Sequence, residues 1–197
     1  MIEPTKANPE ETTTIPLRKL RAAQQKHAST CGPAALRTLL SSFGISKTER
    51  SLSRLCRTSA RYGTNPNDII AGLKKLGFVT KTGMWGGKEK CWRNINYWIN
   101  KRGLPVLVDW FSGTDGHYSV AVRIDRRCIW IADPAIYRKK ERIRKIDWND
   151  FFRMWFDFEG DYLQRLKDLN PRWWLVAYPA PLLKNKLRKI RKKIYKK

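Results

Sequence analysis

Apolar side chains recur at helical spacing through the first half of the chain, from Leu20 onward. The first predicted helix begins at Cys31, has Pro33 in its first turn and ends before Gly44, because proline is tolerated at a helix start and glycine suits a helix end. Further helices are predicted over residues 46–55, opened by a capping box from Ser46 to Glu49, and over 65–76 and 91–101. The first half is therefore predicted to be mainly helical.

The apolar period shortens to that of β-strands after residue 104. Strands are predicted over residues 105–110, 117–124, 128–132 and 173–178, and a short aromatic helix over 147–156. No internal repeat is visible. Helices that come first and an antiparallel sheet that follows predict an α+β fold, not the alternating order of a doubly wound sheet.

Composition favours one folded domain with a segment at each end. The 197 residues are 42% hydrophobic and include nine tryptophans, which excludes a wholly disordered chain. We expect a flexible leader over 1–18, the domain over 19–181 and a basic tail over 182–197. Residues 1–14 show no secretory signal, and the longest apolar run, six residues at 173–178, is far short of the roughly 20 of a membrane span. A soluble protein is expected, either cytoplasmic or peripheral at the inner face of the membrane.

Positive charge is concentrated in two places. The chain has 41 Lys and Arg against 17 Asp and Glu, a net charge of +24, and nine of the cations lie in Lys184–Lys197. The apolar residues 183, 187, 190 and 194 fall on one helical face there, so the tail is predicted either to bind an anionic membrane surface, nucleic acid or an acidic protein, or to be a solvated, partly disordered end. A solvated loop is favoured for the second cluster, Arg138–Lys145.

A nucleic-acid-binding protein is one function class that this charge allows, but the chain has no recognised binding motif and its tryptophans follow the pattern of a core.

The number and spacing of the cysteines argue against a metal site. No C-x-x-C pair is present and only two histidines accompany four cysteines, so no metal or other cofactor is predicted. Cys56, Cys91 and Cys128 are expected to be reduced, small buried hydrophobes.

Cys31 lies where a nucleophile would be favoured. Backbone N–H groups and the positive end of the helix dipole stabilise a thiolate at a helix start, and Gly32 leaves room for a substrate carbonyl. Gln25, six residues earlier, could direct its side-chain N–H₂ to the same point and form an oxyanion hole with the Cys31 backbone N–H. Gln24 is the competing residue for that role, and a simple buried cysteine is the alternative for Cys31.

The predicted strands bring a base and an acid towards each other. His117 comes about nine residues before the turn near Arg126, and Asp133 about seven after it, so an antiparallel hairpin places both at the same end. Asp133 would orient the His117 imidazole and favour its cationic form beside a thiolate. The alternatives are a hydrogen-bonded strand histidine and an aspartate that caps the turn before Pro134; Asp115 is expected in a turn.

Taken together, these residues resemble the C39 peptidases, papain-like cysteine proteases best known as the leader-cleaving domains of bacteriocin exporters. The resemblance is carried by Gln25, then Cys31-Gly-Pro-Ala, then Gly-His117-Tyr, then Asp133-Pro, and it extends over roughly residues 20–178. It implies a papain-like fold with a helical half before a sheet half. It also implies that Cys31 is the nucleophile, His117 the general base, Asp133 the orienting residue and Gln25 the oxyanion donor.

The sequence thus predicts a cysteine peptidase that hydrolyses peptide bonds. Exporter members continue into transmembrane and ATP-binding domains, whereas this chain ends after its basic tail, so their double-glycine leader substrate is not implied. The resemblance leaves the alignment of residues 136–172 open, and this stretch, rich in charged and aromatic residues, is expected to reshape the substrate groove. Acyl transfer to an amine instead of water, and a catalytically silent peptide-binding domain, are the alternatives that these residues allow.

Overall fold

The helical periodicity of the first half forms helices in the computed structural model, which describes residues 20–113, 115–135, 142–158 and 162–180. The helices of this half are α1 (Cys31–Ser41), α2 (Glu49–Leu55), α3 (Pro66–Lys75) and α4 (Lys88–Asn96), and α4 continues into a π-helical turn, Tyr97–Lys101. The predicted leader, the basic tail and the first part of the 138–145 cluster lie outside the described residues.

Local capping chemistry fixes where these helices begin and end. Asn65 caps α3 by accepting a hydrogen bond from the Asn67 backbone N–H, and Gly77 follows the helix with φ +79°, a conformation that favours glycine. For α2, the capping box predicted from Ser46 is wrong by about half a turn. Thr48 is the cap, because its side chain accepts the Ser51 backbone N–H and its own backbone is still extended.

The strands form a six-stranded sheet, antiparallel at every pair, in the order β1-β6-β2-β3-β4-β5. Their bounds are β1 (Phe78–Gly83), β2 (Val106–Phe111), β3 (Gly116–Ile124), β4 (Cys128–Ala132), β5 (Ile143–Asp147) and β6 (Trp174–Pro179). A fifth helix, α5 (Trp148–Met154), follows β5 and is capped by Asp147. The fold class, α+β with an antiparallel sheet, is confirmed.

The two edge strands of this sheet, β1 and β5, correct the sequence prediction. β1 lies between α3 and α4 in the sequence, so the sheet does not simply follow the helices. Its partner strand, β6, is the last strand of the chain. β5 covers the end of the 138–145 cluster, which therefore does not remain a solvated loop throughout. Charged side chains are common on edge strands, where they discourage pairing with other chains. Because β5 is rich in such side chains, its sequence has the composition of a loop.

Two apolar clusters, one on each face of the sheet, hold the elements together. The first joins α1, α2 and α3 to the sheet through residues such as Leu39 and Leu107, and the second joins α4 and α5 to it through residues such as Ile95 and Phe151. Five tryptophans are buried in these clusters: 110, 148, 155, 173 and 174. The prediction that tryptophans build the core is confirmed for these five, whereas Trp85 is exposed.

The four cysteines, all in the described part of the chain, carry free thiols. Cys56 and Cys91 are buried, as predicted, while Cys128 is only half-buried because it starts β4 beside a surface turn. In residues 20–113, 115–135, 142–158 and 162–180, no helix has both the length and the apolar character that crossing a bilayer requires.

The contact of α1 with the sheet should dominate stability. Leu39 of α1 is fully buried in the first cluster. We expect Leu39→Ala to lower the free energy of unfolding by about 2–5 kcal/mol, because the lost apolar contact leaves a cavity. Leu166→Ala is the matched control, since Leu166 is 77% exposed. Urea denaturation of both variants measures the difference, and equal losses would contradict this packing.

Candidate active site

Cys31 is the first residue of α1 and follows a 3₁₀ turn, Ala28–Thr30. Its side chain is nearly buried, with 7% exposure, and it lies at the end of the helix where the backbone N–H groups are not paired within the helix. The residue after it is held in tight packing: a Cβ at Gly32 would lie 2.9 Å from the Thr64 hydroxyl oxygen and 3.5 Å from the Tyr118 ring. Glycine is therefore needed for the close approach of α1 to these neighbours.

His117 and Asp133 meet on neighbouring strands. β3 and β4 pair with Val120 opposite Ala132, and a β-bulge between Ala121 and Arg123 adds one residue to β3. The bulge and the diagonal offset of the two residues together account for their unequal distances from the turn. The pairing places the two residues diagonally across the strands, and the His117 Nε2 lies 2.8 Å from the Asp133 Oδ1.

Asp133 has two further partners that fix its carboxyl group. The Ala135 backbone N–H donates to Oδ1 at 2.9 Å, and the Arg144 guanidinium donates to Oδ2 at 2.9 Å. Arg144 also lies over the Trp110 ring, whose edge-to-face partner is the His117 imidazole, with ring centroids 6.2 Å apart. The imidazole and the carboxyl are thus held by a shared shell of contacts.

Arg144 is a residue that sequence reasoning missed. It belongs to the cluster predicted as a solvated loop, yet it is the cation that pairs with the buried Asp133 carboxyl. The only signal in the sequence was weak, because Ile143 and Ile146 are three residues apart and do not show the period of two that identifies a strand.

The ionisation of the pair follows from these contacts. Burial acts to lower the pKa of His117, but hydrogen bonds to Asp133 and Cys31, together with the negative charges of those groups, raise this pKa to about 9. Burial acts to raise the pKa of Asp133, while the His117 hydrogen bond and charge, the Ala135 N–H and Arg144 lower it to about 2. At neutral pH the pair is therefore an imidazolium beside a carboxylate.

The imidazole links the acid to the thiol. Since Nε2 contacts Asp133, Nδ1 is the ring nitrogen left for Cys31, which is near enough to raise the pKa of His117. The structure thus brings together Cys31, His117 and Asp133, three residues that the sequence places in a helix and two separate strands. An imidazolium at this position can hold a thiolate in place and can later donate its proton.

Gln25 lies beside the start of α1, but its amide is engaged with the loop. The side-chain N–H₂ donates to the carbonyl oxygens of His27 at 2.9 Å and Ala28 at 3.0 Å, and the side-chain oxygen is buried without a hydrogen-bond partner among the described residues. Its backbone N–H donates to the Pro134 carbonyl at 2.8 Å. This last bond ties the segment before Cys31 to the residue after Asp133.

A cavity of about 600 Å³ opens beside the segment that leads into Cys31. It is lined by that segment, by the start of α2 and by the loop after α2, including Thr30, Arg50 and Ser59. No group of three or more His, Cys, Asp and Glu side chains within the described ranges is arranged to hold a metal ion.

A cysteine at a helix start and an imidazole–carboxylate pair on an antiparallel sheet define the papain-like class of fold. Residues 19–157 match the peptidase C39 family, and this chain belongs to that family. The prediction made from its motifs is confirmed.

Solved structures of similar fold are peptidase domains. The peptidase domain of Streptococcus ComA, described as a bifunctional ABC transporter involved in quorum sensing, has a TM-score of 0.62 at 21% identity, covering 82% of this chain and 98% of that one. A double glycine motif protease from an AMS/PCAT transporter, solved in complex with the leader peptide, has a TM-score of 0.59 at 20% identity, covering 82% and 93%. At these identities the likeness shows the fold.

A similar sequence occurs in an archaeal protein. An uncharacterised protein of Methanothermobacter thermautotrophicus is 30% identical over 114 residues, which are 58% of this chain and 71% of that protein. A second uncharacterised protein, from Methanothermobacter marburgensis, is 29% identical over 119 residues. These relatives add no activity to the family assignment.

Proposed function

We propose that this chain is a cysteine peptidase in which Cys31, His117 and Asp133 form the catalytic triad. The observation that carries the proposal is the His117 imidazole, which has Asp133 at 2.8 Å from one ring nitrogen and lies close enough to Cys31 for that group to raise its pKa. A buried strand histidine with a purely structural role would not need a thiol on one side and an acid, itself paired with Arg144, on the other.

The reaction follows from these positions. The Cys31 sulfur attacks the carbonyl carbon of the scissile peptide bond, and the electron pair of the C=O bond moves to oxygen. His117 donates its proton to the leaving nitrogen as the carbonyl re-forms, which leaves an acyl group on sulfur as a thioester. His117 then takes a proton from water as the water oxygen attacks the thioester. The acid product departs, and the protonated His117 again faces a thiolate.

The developing oxyanion needs donors at the start of α1. We assign this role to the Cys31 backbone N–H and the Gln25 amide. Gln25 has two N–H groups that at rest donate to the His27 and Ala28 carbonyls, so we propose that substrate draws one of them away from the loop. A family relative solved with a leader peptide supports a peptide as the substrate of this chain, bound along the groove beside Thr30.

Labelling with an electrophile tests the proposal directly. Iodoacetamide at pH 7 should modify Cys31 much faster than Cys56 or Cys91, because burial raises the pKa of Cys56 to about 11 and also raises that of Cys91, which keeps both thiols protonated. Peptide mapping by mass spectrometry after timed labelling measures the rates. The half-buried Cys128 is the control for simple access.

Faster labelling at Cys128 than at Cys31 would contradict the assignment of the nucleophile. If Cys31 is modified first but no peptide in a library is cleaved, the chain is a peptide-binding member of the family without turnover. Partners of the basic tail stay a prediction, since Lys184–Lys197 lies outside the described residues.

A further inference from the structure

Asp109 is a buried acid that the triad does not use. It lies in β2, directly opposite Tyr118 of β3, and its side chain has no exposed surface. No backbone N–H donates to either carboxyl oxygen, the polar side chains next to it are those of Tyr118 and Asp157, and no lysine or arginine within the described residues pairs with it. The chain has 41 basic residues, so this lack of a counter-charge is unusual.

A second acid, Asp157, lies close to the first. Its carboxyl group packs on Gly116, the residue before His117, so tightly that any side chain at position 116 would collide with it. Two backbone hydrogen bonds hold it in place, because Asp157 and Asn170 each donate to the carbonyl of the other, at 3.3 and 2.7 Å. Asp157 and Gly116 are both half-buried, so this end of the pair lies at the surface.

The two acids adjoin the predicted nucleophile. Tyr118, the cross-strand neighbour of Asp109, lies against Gly32, the residue after Cys31. Burial raises the pKa of Asp109 well above its usual range, and the charges of Asp157 and Cys31 raise it further. A negative charge on Asp109 is thus opposed by burial and by its acidic neighbours, and a cation placed beside it would relieve both.

We propose that Asp109 and Asp157 form an acidic subsite beside Cys31 that accepts the cationic side chain of a lysine or arginine in the peptide substrate. This inference rests on the proposed peptidase function. Asp157 forms the rim of the subsite and Asp109 its floor. A lysine ammonium or arginine guanidinium supplies a charged hydrogen-bond donor and the positive charge that Asp109 lacks among the described residues.

Paired electrophilic peptides test the subsite. Each pair carries lysine or norleucine, a neutral side chain of similar length, at one of the positions that precede the electrophile, and the readout is the second-order rate of Cys31 modification. In the wild-type protein we expect lysine to be favoured over norleucine by at least about tenfold at one position, the size of one charge-assisted hydrogen bond. In Asp109→Asn this ratio should fall to about one, and in Asp157→Asn it should also fall.

Asp150→Asn is the matched control, because it makes the same side-chain change at an exposed acid of α5. It should keep the wild-type ratio. Asp157→Asn carries the test if Asp109→Asn does not fold. A ratio near one at every position of the wild type, with Cys31 still modified, would overturn the subsite and leave the peptidase standing. Absence of Cys31 modification by every probe would overturn both.

Discussion

Cys31→Ala should remove cleavage of a peptide library by this chain, with a loss in turnover on the order of 10⁴-fold or more. The reason is that, in the proposed mechanism, the sulfur at the start of α1 forms the covalent intermediate, and no other thiol in the described structure neighbours the His117 imidazole. The measurement is the initial rate of product formation, followed by mass spectrometry of the cleaved peptides.

Cys128→Ala is the matched control for this variant. It removes a half-buried thiol at the other end of β4 and should cleave the library at the wild-type rate. Circular dichroism should show both variants folded, because alanine favours a helix and fits the volume of the cysteine it replaces in α1. Equal turnover by the wild-type protein and Cys31→Ala would remove the proposed mechanism.

His117→Ala should lower turnover by about 10²–10⁴-fold, because the variant has no group to protonate the leaving amine or to activate water. The pH dependence adds a second measurement. The hydrogen bonds and charges of Asp133 and Cys31 raise the pKa of His117 to about 9, so the imidazolium persists at neutral pH and is lost only as the pH rises through that value. The activity of the wild-type protein should therefore decline on its alkaline side near pH 9.

Asp133→Asn separates the charge of the acid from its role as a hydrogen-bond acceptor. The amide oxygen still accepts from His117 Nε2, but the negative charge that raises the pKa of His117 is gone. We expect the alkaline decline to move to lower pH by about one to three pH units, while more activity remains than in His117→Ala. An unchanged or higher alkaline limit would show that Asp133 does not act on His117 through its charge.

The elements that carry the site could be predicted because their signals are local. Pro33 and the apolar face after Cys31 place a helix start, and the alternation after His117 places a strand. The order of the motifs then indicated the family, which the match over residues 19–157 confirmed. The edge strands gave no such signal. β1 is stabilised by pairing with β6, and no local pattern predicts that pairing. In β5 most residues are charged, so the alternation of apolar and polar residues that identifies a strand is missing.

The parts of the site that the sequence did not predict depend on distant contacts. In the sequence, Arg144 is one of several cations of a predicted loop. The pairing of β4 with β5 is what brings its guanidinium to the Asp133 carboxyl. The engagement of the Gln25 amide with loop carbonyls depends on the fold of the turn before α1. The contact of Asp157 with Gly116 joins segments about 40 residues apart. The connections between β3, β4, β5 and α5 return the chain to this place.

The sequence by itself determined which residues can do chemistry here: a thiol at a helix start, an imidazole and a carboxylate on neighbouring strands, and the family to which these motifs belong. Spacing along the chain suffices for this because helix starts and hairpins are specified by nearby residues. The tertiary structure decided how those groups are charged and what surrounds them. Burial and contacts between segments far apart in sequence set the pKa of His117, pair Asp133 with Arg144 and leave the buried Asp109 without a basic partner among the described residues. No local pattern contains these contacts.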